Sequence, residues 1–107
     1  MQLKDSKLFR QQCYIGGTWA DAGNRATIDV INPATGQKLG TVPNMGAAET
    51  RRAIEAAHTA FPAWAHKTAK ERAVILRRWH DLMMANQDDL AMLMTAEQGK
   101  PLAEGQG

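Results

Sequence analysis

The hydrophobic period of this chain changes once, after Pro43, from 2 to 3.6, and does not change back. Three or four short strand-like runs come first, and only helical patterns follow. Strands so few and so short cannot close a sheet. They must pair with strands that lie outside these residues, or stay as hairpins laid on a helical face. The helices carry enough apolar surface to need a wide partner. The order of elements therefore predicts a helix-rich α/β piece whose apolar faces require a cover.

Local signals place the elements. "DSKLFRQQ", residues 5–12, reads as a short helix with Asp5 as N-cap. In "CYIGGTWADAGN", Gly16 and Gly17 separate two strand-like runs and mark a hairpin, because both can take positive φ. "ATIDVINPATGQKLGTVP" supplies two more strands, so strands fall within about 13–43. Ile28 and Val30 share one face, with Thr27 and Asp29 on the other. Asn32-Pro33-Ala34-Thr35-Gly36 between them is turn chemistry.

Helices occupy about 46–98. Asn44 or Gly46 caps the first, with Glu49 near its positive end. Its stripe is Ala53, Ile54, Ala57, Ala60 and Phe61, until Pro62 interrupts it. Trp64 anchors the connection. Thr68 and Glu71 form a capping box for the longest helix, each satisfying a free backbone N–H of the first turn. That stripe runs Ile75, Leu76, Trp79, Leu82, Met83, Leu90, Leu93 and Met94. Asn86-Gln87-Asp88-Asp89 kinks or restarts it, since Asn and Asp compete for backbone bonds. A new helix start is read at Pro101.

Composition bounds the function classes. The 107 residues suffice for one small domain. A chain this size buries roughly 65% of the surface its unfolded form exposes. Hydrophobic residues at 44% and charged residues at 22% indicate a soluble globular class. A net charge of +2 is too small to point to nucleic acid. Cys13 is the single cysteine, which excludes an internal disulfide and fits a reducing compartment. "MQLKDSKLFRQQ" has no apolar run of signal-peptide length, and no stretch approaches the ~20 apolar residues of a membrane span. The expectation is a cytoplasmic protein with neither a membrane nor a nucleic-acid partner.

No motif here carries chemistry. In "EQGKP", Lys100 could face an anion, but helix punctuation explains the segment better. Gly99 suits a left-handed C′ position and Pro101 the first residue of the next helix. "EGQG" holds Gly-x-Gly but follows a helix start, whereas a dinucleotide fingerprint follows a strand. Cys13 lies at a helix-to-strand junction with no histidine near it in sequence, so it reads as a structural thiol. His58, His66 and His80 are spaced by 8 and 14 residues, never the i, i+4 that sets two imidazoles on one helix face for zinc. Arg51, Arg52, Lys67, Lys70, Arg72, Arg77 and Arg78 are interleaved with Glu49, Glu55, Glu71 and Asp81, the pattern of a solvated helix face. Met83, Met84, Met92 and Met94 read as core filler. The catalytic, cofactor-binding and metal site sets are therefore each expected to be empty.

"VINPATGQKLGTVP", "GAAETRRAIEAAHTAFPAWA" and "TAKERAVILRRWHDLMMANQDDLAMLMTAEQGKPLAE" together resemble the N-terminal portion of aldehyde dehydrogenases, nearest to the bacterial succinate-semialdehyde branch. The resemblance runs from about Leu8 to Glu104. Asn-Pro-x-x-Gly and Glu-x-Gly-Lys-Pro are common across that superfamily, and "LMTAEQGKPLAE" is more specific to the branch.

The resemblance implies an incomplete first part, residues 1–107, of a Rossmann-like cofactor domain. In the whole enzyme it implies NAD or NADP, a cysteine thiolate that attacks the aldehyde, a thioester, and a glutamate-activated water that releases the acid. The cysteine, glutamate, oxyanion-hole asparagine and glycine loop all lie later in that family. The backbone carbonyl used by its monovalent-cation site falls on Ile31, with partner groups beyond Gly107. The segment is thus expected to be scaffold, inactive alone and binding no cofactor alone. Its partner would be the remainder of the dehydrogenase chain, within a dimer or tetramer. The alternative is a non-catalytic helical module that self-associates through its apolar faces. One departure stands at the end, where "GQG" puts Gly105 and Gly107 at positions the family usually gives to better helix formers. Each costs up to about 1 kcal/mol of helix stability, which puts the last turn in doubt.

Overall fold

The computed structural model describes all residues 1–107. It holds two separate antiparallel hairpins followed by four helices. Strands β1 (Cys13–Ile15) and β2 (Thr18–Ala20) pair in the register Cys13↔Ala20, Tyr14↔Trp19 and Ile15↔Thr18. Gly16 and Gly17 have φ of 58° and 84°, the two positive values that a two-residue hairpin turn of matching twist demands. Strands β3 (Thr27–Ile31) and β4 (Lys38–Pro43) form the second hairpin, with a bulge between Val30 and Ile31.

The turn joining β3 to β4 is self-bonded. Asn32 Oδ1 accepts from the amides of Ala34 at 2.9 Å and Thr35 at 3.3 Å, and the Gly36 amide donates to the Asn32 carbonyl at 2.8 Å. Asn32 is thus a side-chain mimic of a backbone turn.

Four helices follow: α1 (Ala47–Ala65), α2 (Ala69–Ala85), α3 (Gln87–Gln98) and the short α4 (Leu102–Gly105). Gly46 takes the N-cap position of α1, and its amide donates to Glu49 Oε2 at 3.0 Å. Thr68 caps α2 as the sequence predicts: Glu71 N–H donates to Thr68 Oγ1 at 3.2 Å, and Thr68 N–H donates to Glu71 Oε2 at 2.7 Å. Asn86 ends α2 with φ −115° and ψ 19°, so α3 does restart there.

Several expectations need correction. The helix read over residues 5–12 is one 3-10 turn, Ser6–Leu8, although Asp5 does cap it. Beyond it the chain is drawn out along β4. Gln11 Oε1 accepts from the Thr41 amide at 2.9 Å, and the space beside Gly40 is filled by Phe9 and Gln11. Pro62 does not interrupt α1, which runs through it to Ala65. The proline removes one ladder bond in the last turn, where the His66 amide still reaches the Pro62 carbonyl at 3.0 Å. Pro101 is the N-cap of α4 rather than its first residue. Gly105 does not undo that helix. A Cβ there would lie 3.1 Å from the Ala91 carbonyl oxygen, so its bareness lets α4 approach α3. Met83, Met84 and Met94 are exposed, not core.

The methionine correction has a whole-molecule cause. Only Ala22, Asp89, Ala91 and Ala96 are buried, and α1 and α2 contain no buried residue. The accessible surface is 8200 Å². A compact monomer of this mass would show about 5,900 Å². The radius of gyration is 16.6 Å, where a compact chain of this length would have about 13 Å. Both quantities describe an open layer, 46 × 36 × 20 Å, rather than a closed core.

Candidate functional site

Two carboxylates organise the backbone. Asp89, in the first turn of α3, is 6% exposed and accepts from the amides of Lys4 and Asp5, each at 2.8 Å. These backbone bonds hold its carboxyl below the usual carboxylate range. Glu49, in the first turn of α1, accepts from the Gly23 amide at 2.9 Å and the Gly46 amide at 3.0 Å. The same cause, the Gly23 bond foremost, lowers its carboxyl too. Asp89 thus ties the N-terminal segment to α3, and Glu49 ties the loop after β2 to α1. Lys4 Nζ pairs with the neighbouring Asp88 at 2.9 Å, and that hydrogen bond raises the lysine from its ordinary value.

Sequence reasoning missed the long-range half of both clamps. It read Glu49 as a dipole partner and Asp89 as part of a helix break. The acidic first turns were a visible signal, but nothing local names the distant amides they accept. It also missed a joint between the Asn32-Pro33 turn and the Gly99-Lys100-Pro101 segment. Gly99, at φ 85°, stands so close to Pro33 that a Cβ would meet Pro33 Cγ at 2.9 Å. The asparagine-proline turn is therefore seated on the end of α3.

The other singled-out residues are not brought together. Cys13 opens β1, half-buried, opposite Ala20. His66 Nδ1 lies 2.7 Å from its own helix carbonyl at Pro62, and His80 Nδ1 lies 3.3 Å from the adjacent Asp81. His58 is exposed on α1. No group of three or more His, Cys, Asp or Glu is placed to hold a metal ion. Lys100 is half-buried, and its amide donates to Gln98 Oε1 at 3.1 Å. Among the basic residues, Arg72 is turned back onto the carbonyls of Lys67 and Ala65. Ile31 ends β3 at the bulge, its side chain exposed. Gly105 is packed on α3, where a Cβ would lie 3.1 Å from the Ala91 carbonyl oxygen.

The dominant surface is apolar. Val74, Ile75, Leu76, Trp79, Leu82 and Met83 are all exposed on α2, Trp79 at 62%. Leu8 and Leu90 extend that face into a shallow groove around Trp79. On α1, Ile54 and Phe61 are both 64% exposed. Burying one such side chain stabilises by about 1.5–3 kcal/mol. An exposed apolar patch this wide marks a contact surface. No helix is long and apolar enough to cross a membrane.

Residues 19–107 match the model of the aldehyde dehydrogenase family. The chain is 71% identical, over all 107 residues, to a glutarate-semialdehyde dehydrogenase of Pseudomonas aeruginosa. It is 66% identical over the same span to an NADP(+)-dependent succinate-semialdehyde dehydrogenase of Escherichia coli. In both cases the chain spans 22% of the relative's length. The crystal structure of an NADP-dependent enzyme of E. coli superposes with a TM-score of 0.96 at 66% identity, covering 99% of this chain and 22% of that one. That of a succinate-semialdehyde dehydrogenase from Burkholderia pseudomallei does so with a TM-score of 0.95 at 63% identity, covering 100% and 22%.

Proposed function

Since the chain belongs to the aldehyde dehydrogenase family, we propose that it is the scaffold segment of a dehydrogenase for aldehydes with an anionic tail. Residues 1–107 would form an incomplete first part of the cofactor-binding domain. The observation that carries this reading is the open layer itself: a conformation close to that of solved dehydrogenases, with α1 and α2 uncovered. The rest of a dehydrogenase chain is the partner that would cover them.

In this role the residues position rather than react. Asp89 and Glu49 fasten loops to helix starts, and Pro33 on Gly99 fixes the second hairpin against α3. Such fastening keeps the covering face in one shape, which a site built on it requires. In this role none of them contacts substrate, cofactor or the reacting atoms.

The relatives named for glutarate and succinate semialdehydes differ by one methylene in substrate and are 71% and 66% identical to this chain. Succinate semialdehyde is our proposed substrate. The same reading places the enzyme in the cytoplasm, uses NAD or NADP, and makes it a homo-oligomer of two or four subunits.

A purified 107-residue chain mixed with succinate semialdehyde and NADP⁺ should give no NADPH absorbance. Measurable turnover would overturn the scaffold reading. The excess exposed surface also favours a second reading, in which the free chain self-associates through α2. A discrete dimer in sedimentation would support it, and a monomer at every concentration would exclude it.

A further inference from the structure

We draw no further inference here: the strongest candidate, the uncovered apolar face of α2 around Trp79 with the groove it shares with Leu8 and Leu90, is already assigned above to the rest of a dehydrogenase chain, and nothing in the structure shows a different occupant.

Discussion

Gly99 combines a φ of 85° with a Pro33 ring atom 2.9 Å from where a Cβ would stand. The two constraints can be separated. Gly99→Ala in a full-length enzyme carrying this segment should cost roughly 1–3 kcal/mol, read from the denaturant midpoint. Gly99→Asn eases the backbone strain but keeps the clash, so it should lose less than alanine yet stay below the glycine parent. Pro33→Ala in the alanine background should recover part of the loss, a non-additive coupling. Equal, additive losses would show that the contact does not matter. At Glu49 and Asp89 the sign of the pH dependence follows from their lowered carboxyls. The unfolded chain binds protons that the folded chain refuses, so stability is full above the ordinary carboxylate pKa of about 4 and falls as pH drops through it. Thermal midpoints of the same enzyme should hold from pH 6 to about pH 5 and decline from there toward about pH 3. An E49Q/D89N variant should start lower and follow a flatter curve. Parallel curves for the two proteins would refute the assignment.

At the scale of elements, α2 depends on its ends, because no residue along it is buried within these residues. Thr68→Ala removes the hydroxyl that accepts from Glu71 N–H and should cost about 1 kcal/mol. Circular dichroism of the free chain should show lost helicity, and an unchanged spectrum would mean that α2 does not rest on its cap. The capping box, the Gly16-Gly17 turn and the Asn32 turn were legible because each is solved within a few residues. The helix restart at Asn86 was legible for the same reason. Pro62 was misread because its position in the last turn, where little ladder remains to lose, is visible only once α1 has an end. The helix over residues 5–12 was misread because Phe9 and Gln11 are recruited by β4 about thirty residues away. Gly105 looked like a breaker, since its contact with Ala91 arises from the folding of α4 onto α3.

The molecule as a whole presents 8200 Å² to solvent, about 2,300 Å² more than a compact chain of its mass. Periodicity identified the apolar stripes, but assigning Met83, Met84 and Met94 to a core assumed that the core lay within these residues. The free chain should therefore bind a hydrophobic dye and unfold over a broad temperature range. A sharp transition without dye binding would show that the layer closes by itself. The most direct test replaces the first 107 residues of the P. aeruginosa glutarate-semialdehyde dehydrogenase, 71% identical over that span, with this chain. The account predicts a soluble chimera with one cooperative unfolding transition, glutarate-semialdehyde oxidation within a few-fold of the parent, and the parent's substrate preference unchanged. A soluble, folded chimera that has lost turnover or changed its substrate preference would contradict a purely scaffolding role.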